Sequence, residues 1–347
     1  MEWYKGNLEW LPDRTIFMTK GGSHAYGTNL PTSDLDIRGI CIPPKEYFHG
    51  FLHKFEEAEC KGDLDAVITD IRKLVELASK CNPNVIELLF TDDSDWISPG
   101  PNDNDRNSAA WWRLWCGRHL FISKEAKHRF SGYAFNQLRR IQSHRYYLLN
   151  PPKKHPERAD FDLPEFVTLE KDQLNVVNAR IRKLEDQLGG KGWTKDKVSE
   201  RDEEFVTTVV GQIDISDKLI PLIIAERKYN SAMRNWASYE KWKLERNSVR
   251  SELEGKFGYD TKHAMHLVRL MRMATEILDH HKVIVKRHDA QELLEIRRGM
   301  WSFDTLMTWA EDTEVKLEKS YITSTLPREP DREAIDKLLV AIVNEYL

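Results

Sequence analysis

The sequence predicts an α+β protein: a small sheet-bearing unit in the first hundred residues, followed by a mostly helical one. Two observations carry this. Before residue 100, short β-branched or apolar runs of strand length are separated by Gly and Pro; beyond it, apolar residues recur at helical spacing almost to the end. Between the two patterns lies SPGPNDNDRNS, residues 98 to 108, with two prolines and no apolar side chain. It is the best boundary in the chain and predicts units of 1–100 and 101–347.

The elements follow in order. Thr15 to Thr19, Ile37 to Ile42 and Ala66 to Ile71 are rich in Ile, Val and Thr and read as strands of one small sheet. The last passes into RKLVELASK, where Leu74, Leu77 and Ala78 repeat at helical spacing until Cys81-Asn82-Pro83 stops the helix. A second helix is expected in NVIELLF. Amphipathic helices are then predicted at 109–149, 168–188, 202–256, 260–280, 289–298, 303–319 and 331–346. Two loops interrupt them: PPKKHPERADFDLP at 151–164, where four prolines forbid a regular helix, and GGKGWTKD at 189–196.

Composition narrows the function classes. The 347 residues carry 52 Lys+Arg against 56 Asp+Glu, a net charge of -4, with 40% apolar residues. That apolar fraction is enough for a core and excludes a disordered or collagen-like chain. The near-neutral balance excludes coating of nucleic acid by bulk charge, so any such contact is local. The stretch MEWYKGNLEWLPDR lacks a basic segment followed by an apolar run, and apolar stretches such as Ile220 to Ala225, itself broken by Pro221, are far too short to span a bilayer. A soluble, cytoplasmic protein without membrane partners is expected. Cys41, Cys60, Cys81 and Cys116 form no CxxC pair and read as buried thiols; Cys116 with His119 would be only half a zinc site.

The most informative stretch is GGSHAYGTNLPTSDLDIRG, residues 21 to 39, which leaves one strand and enters the next. Gly21 and Gly22 permit a tight turn and a close ligand approach, with backbone amides and the Ser23 hydroxyl as phosphate donors. Asp34 and Asp36 flank Leu35; on a strand, residues i and i+2 share a face, so both carboxylates would project together. Hard oxygen donors of this kind suit magnesium, which completes its shell with water and substrate phosphates. A third carboxylate is expected from DLDAVITDIRK. Asp70, at the strand-to-helix junction, is preferred, with Asp65 in reserve. Taken singly, each motif reads as a turn or a solvated strand end; their joint order is what points to a metal-nucleotide site. His24 and Tyr26 are expected either to touch phosphate or ribose or to pack.

These residues carry a family resemblance. The Gly-Ser turn, the Asp-x-Asp pair and a later carboxylate resemble the catalytic core of the DNA polymerase beta nucleotidyltransferase superfamily. More narrowly, GSHAYGTNLPTSDLDIRG, DAVITDIRKLVELASKCNPNVIELLF, SGYAFNQLRRIQSHR, KHAMHLVRLMRMATEIL and LLEIRRG together resemble a nucleotidyltransferase family with RNA-ligase-associated and phage members. The resemblance implies a mixed-sheet nucleotidyltransferase domain that transfers an NMP from an NTP, ATP favoured, to a hydroxyl and releases pyrophosphate. It implies two Mg²⁺ or Mn²⁺ ions on Asp34, Asp36 and Asp70 (or Asp65). RNA or tRNA is the expected acceptor. Nucleotidyl modification of a protein, as in AMPylation, is the alternative, and a non-catalytic nucleic-acid-binding module the other.

A triphosphate needs cations that the first unit supplies sparsely, with Lys20, Arg38, Arg72 and Lys73 near the motifs. In the helix after Asp260, Ala264, Leu267, Val268, Met271, Ala274 and Leu278 share one side, and Lys262, His266 and Arg269 are expected on the opposite one as nucleotide or acceptor contacts, with His263 nearby. Tyr133, Gln137, Arg140 and His144 share a face of an earlier helix, which reads as a solvated ridge. The basic strings 153–158 and 283–289 and the pair Arg297 and Arg298 read mainly as water-facing charge. Trp111, Trp112 and Trp115 read as packing residues rather than base-stacking platforms.

Overall fold

A computed structural model describes Tyr4 and residues 6–60, 65–99, 105–166, 175, 179, 220–246 and 248–347. The expected helix at 168–188 and loop at 189–196, and residues 202–219 of the helix expected at 202–256, lie outside the described residues, apart from two isolated helical positions. Five strands form one mixed sheet: β1 (Thr15–Lys20), β2 (Asp36–Cys41), β3 (Glu57–Cys60), β4 (Asp65–Asp70) and β5 (Trp96–Ser98), in the order β3-β4-β2-β1-β5. β2 and β4 run parallel, and every other pairing is antiparallel.

The register decides which residues meet. Asp36 pairs with Asp65, Arg38 with Val67 and Thr19, and Glu57 with Thr69, so these side chains share one face. That face is only half-buried along β4, where Asp65, Val67 and Thr69 alternate with the fully buried Ala66, Ile68 and Asp70. The opposite face packs Leu11, Cys41 and Ile68 against Trp10, Met18 and Phe55.

Among the described residues there are twelve helices. α1 (Gly22–Tyr26) and α2 (Glu46–His49) are single turns. Asp70 caps α3 (Ile71–Ala78) by accepting from the Arg72 amide at 2.7 Å, and Asn82 caps α4 (Pro83–Leu89) through the Asn84 amide. The helix expected over 109–149 is two, α5 (Arg106–Cys116) and α6 (Glu125–Leu149), separated by a 3-10 turn at Arg118–Phe121. α7 (Ile220–Glu245), α8 (Ser248–Phe257), α9 (Thr261–His280), α10 (Ala290–Arg297), α11 (Phe303–Thr323) and α12 (Arg332–Tyr346) complete the set. No described helix is long and apolar enough to cross a membrane.

The compact units are drawn differently from the 1–100 and 101–347 read in the sequence. Residues 1–145 and 248–347 form one unit, and 146–247 the other. The physical reason is packing across the proline-rich stretch. Trp111 of α5 stacks on Phe17 of β1 with centroids 3.5 Å apart, and Trp96 sits edge-on to both rings. The fully buried Trp111, with Trp112 and Trp115 packed against the same core, keeps the packing role expected of the three tryptophans. One continuous core runs from Ile16 through Ile40, Leu74, Phe130 and Leu267 to Tyr346. In the second unit, Arg158 pairs with the buried Glu226 of α7, and Phe161 packs edge-on against Tyr229. Of the cysteines, Cys41 and Cys81 are buried as expected, whereas Cys116 is exposed.

Candidate active site

The site is built where β1 ends. The Gly21 amide donates to the Asp36 carbonyl at 2.8 Å, which ties the turn to the start of β2. Gly22 then takes φ +56°, and a Cβ there would stand 2.1 Å from Asp36 Oδ2. Glycine is required on both counts: the left-handed backbone and the carboxylate pressed against its Cα. Gly22, Ser23 and His24 form the half-buried side of α1, while Ala25 and Tyr26 are buried and Gly27 ends the turn at φ +71°. The His24 Nε2 atom is buried and has no hydrogen-bond partner among the described residues.

Asp36 and Asp65 lie side by side because β2 and β4 pair in parallel from those two residues. Arg38, two residues along the same face, reaches both: Nη2 is 3.2 Å from Asp36 Oδ1 and Nη1 is 4.0 Å from Asp65 Oδ1. Asp34 precedes β2 and is exposed. The Asp36 carboxyl is held above the ordinary carboxylate range. Burial is the largest cause, Asp65 and Asp34 add to it, and Arg38 and Lys262 oppose it. The acidic end of the sheet thus carries an excess of negative charge in a half-buried place. That is the condition under which a divalent cation is favoured, and the hard oxygen donors fit one. Asp34, Asp36 and Asp65 are not a group whose ligand atoms all lie within 4.8 Å of one another; Arg38 draws the strand carboxylates toward itself.

The preference for Asp70 is corrected by this geometry. Asp70 stands at the other end of β4, paired with Cys41, five residues or about 17 Å along the strand from Asp65, and it points to the opposite face. Its carboxylate is 1% exposed and fully engaged by the Arg72 amide and guanidinium, while Arg72 also donates to the Tyr47 carbonyl. The reserve residue, Asp65, is the one brought to Asp36.

The cationic ridge of α9 divides residue by residue. Lys262 is close enough to Asp36 to stabilise its charged form. His266 is half-buried, and burial together with Arg269 and Lys262 pushes its pKa well below the usual value, so it is neutral. Arg269 is 5% exposed, pairs with the equally buried Glu87 of α4, and lies over the Tyr26 ring at 3.7 Å. Tyr26 in turn donates to Glu87 at 2.5 Å. Arg269 is therefore corrected from a nucleotide contact to part of a buried clamp, and Tyr26 takes the packing alternative of the two expected for it; together with Glu87 they hold α1 between α4 and α9. Its partner Glu87 was hidden in the apolar-looking NVIELLF, with no signal to mark it. The basic string at 283–289 is likewise spent internally: Lys286 on Asp95 at 3.1 Å and Arg287 on Glu276 and Asp289.

A cavity of about 320 Å³ opens on the half-buried sheet face beside the turn, lined by Gly21, Gly22, Arg38, Thr69, Leu77 and Glu87 among others. Its size lies at the lower end of the range usual for small-molecule sites. Gly21, Gly22 and Arg38 belong to its wall, and Arg38 links that wall to the register-matched Asp36 and Asp65.

Across 320 residues, covering 88% of this chain and 89% of the other, the sequence is 22% identical to an uncharacterized 38.9 kDa protein in the nrdC-mobD intergenic region of Enterobacteria phage T4. No solved structure matches. Residues 7–149, which hold the turn, Asp34, Asp36, Asp65 and Glu87, match the model of the RNA repair pathway DNA polymerase beta family, so this stretch of the chain is similar to a nucleotidyltransferase domain.

Proposed function

We propose that the chain is a metal-dependent nucleotidyltransferase that moves an NMP from an NTP to a hydroxyl, with an RNA end as acceptor. The observation that carries this reading is the parallel register that sets Asp36 beside Asp65, with Gly22 packed against the Asp36 carboxylate. The family's description, which names an RNA repair pathway, supports the choice of RNA.

In this reading Asp34, Asp36 and Asp65 hold two Mg²⁺ or Mn²⁺ ions. Bound there, divalent cations neutralise phosphate charge and ease deprotonation of the acceptor hydroxyl. The chain's own residues do the rest by position and charge. Gly21 and Gly22 let the triphosphate come close to the backbone, and Ser23 offers a hydroxyl donor. Lys262 and Arg38 would answer the negative charge of the phosphates. The acceptor oxygen forms a bond to the α-phosphorus, the bond from that phosphorus to the β-phosphate oxygen breaks, pyrophosphate leaves, and the hydroxyl proton passes to solvent. No covalent enzyme intermediate is needed.

The test is incubation with each α-labelled NTP, Mg²⁺ or Mn²⁺, an RNA pool and the protein itself, followed by sizing of the label. Label on RNA is the expected result, with ATP the best donor. Label on the protein would replace RNA with a side-chain acceptor, and label on neither, without pyrophosphate, would overturn the reading.

A further inference from the structure

A second cluster of ligand-bearing side chains lies away from the aspartates of the sheet. His144 of α6, Asp260 at the start of α9 and His263 in its first turn bring three ligand atoms within 4.8 Å of one another. Glu254 of α8 stands against the same histidine. The contacts are His144 Nδ1 to Glu254 Oε1 at 3.4 Å, His144 Nδ1 to Asp260 Oδ2 at 3.8 Å, and His263 Nε2 to Asp260 Oδ2 at 3.6 Å. The carboxylates are buried, with side chains 4% and 3% exposed, and the histidines are mostly so, at 22% and 13%.

The orientation of these groups is fixed from outside the cluster. Asp260 caps α9 with Oδ1, which accepts from the His263 amide at 3.0 Å, and this leaves Oδ2 turned to both imidazoles. His263 Nδ1 lies 2.6 Å from Gln137 Oε1. A carbonyl oxygen only accepts, so Nδ1 carries the proton, and in the neutral ring Nε2 presents its lone pair to Asp260. A ring nitrogen held in this way by an outer hydrogen bond is the usual arrangement of a metal-binding histidine. The spacing discriminates further. A hydrogen bond from nitrogen to carboxylate would close to about 2.7–3.2 Å. Two ligands at about 2.0–2.1 Å from one tetrahedral ion stand about 3.3–3.4 Å apart. All three distances exceed the first range; the shortest, 3.4 Å, falls in the second, and those at 3.6 and 3.8 Å lie beyond it by 0.2–0.4 Å, about what closing on an ion would take up.

We propose that His144, Asp260 and His263 form a three-ligand site for a first-row transition ion, zinc being the probe, with Glu254 standing against His144. The two nitrogens and the carboxylate oxygen make a borderline donor set that suits Zn²⁺ better than Mg²⁺. The ion pins α6 to the first turn of α9, and the residue beside His263 is Lys262, so occupancy steadies the lysine that faces Asp36. The rival arrangement is a protonated histidine between two carboxylates, which would hold no metal.

The experiment strips the full-length protein with chelator and titrates it with Zn²⁺ and with Co²⁺. One equivalent of tight Zn²⁺ per chain is expected, with a rise in the unfolding midpoint and, for Co²⁺, the visible absorption of a tetrahedral nitrogen- and oxygen-ligated ion. Asp36→Ala keeps this equivalent, which separates the site from the sheet aspartates. His263→Gln abolishes it, and Gln137→Leu weakens it by about 10- to 100-fold while leaving all three ligands in place. Failure of wild-type protein to bind Zn²⁺, or an unchanged equivalent in His263→Gln and in the His144→Ala variant, would overturn the proposal. Circular dichroism of each stripped variant establishes that it is folded before the titration is read.

Discussion

Asp36 is the residue on which charge, burial and backbone all bear. Its carboxylate is pressed against Gly22, shares Arg38 with Asp65, and sits where burial makes ionisation costly. A carboxyl with a raised folded-state pKa keeps its proton to higher pH than in the unfolded chain. Its favourable contribution is complete below the ordinary carboxylate value of about 4 and is lost as pH rises through the folded value. In metal-free buffer, Asp36→Asn is therefore expected to unfold at a higher temperature than wild type at pH 7. The gap should close as pH falls toward about 4, where both side chains are uncharged. Thermal melts across that range check it; an Asn variant less stable than wild type at pH 7 would show that Arg38 outweighs burial. Glycine's role here was legible in the sequence, since only Gly-Gly before Ser explains such a turn. Arg38 was noticed there only as a nearby cation, because its bridging of Asp36 and Asp65 depends on a parallel pairing that spacing does not reveal.

At the scale of elements, β4 and α9 each carry two functions on two faces. β4 presents Asp65 to the half-buried face at one end and commits Asp70 to a helix cap and an ion pair at the other. The strands β1, β2 and β4 were readable from their Ile, Val and Thr content. β3, with the sequence EAEC, and the three-residue β5 were not, because neither has an apolar alternation; they are held by pairing to neighbours. On α9 the apolar spacing marks a buried face through Ala264, Leu267, Val268, Met271, Ala274 and Leu278, and the face that is buried in the fold is wider than that spacing implies. Helical spacing assigns a direction and does not report a buried carboxylate waiting on another helix. Arg269 falls inside that wider face because Glu87 meets it. Arg269→Ala strands the Glu87 charge and should cost about 3–5 kcal/mol of stability, measured by urea unfolding. Turnover per folded molecule should change little. A folded, fully stable variant with a raised NTP requirement would return Arg269 to the phosphate side.

At the scale of the whole molecule, the -4 net charge conceals how the cations are used. Arg72, Arg158, Arg269, Arg272 and Arg287 are all paired with carboxylates. The cations that oppose the raised Asp36 carboxyl come from positions as distant in sequence as Arg38 and Lys262. The α+β order and the location of the glycine-aspartate site were legible because they rest on local patterns. The grouping of 1–145 with 248–347 was not, because it rests on contacts such as Trp111 on Phe17 and on a core that closes with Tyr346. The most direct test of the account compares two aspartates five residues apart on one strand. Pyrophosphate release from NTP with Mg²⁺ is measured for wild type, Asp65→Ala and Asp70→Ala, each normalised to folded protein. The account predicts a loss on the order of 10²-fold or more for Asp65→Ala, a near wild-type rate for Asp70→Ala, and lowered stability in the latter. A silent wild type, or an active Asp65→Ala beside an inactive but folded Asp70→Ala, would contradict it.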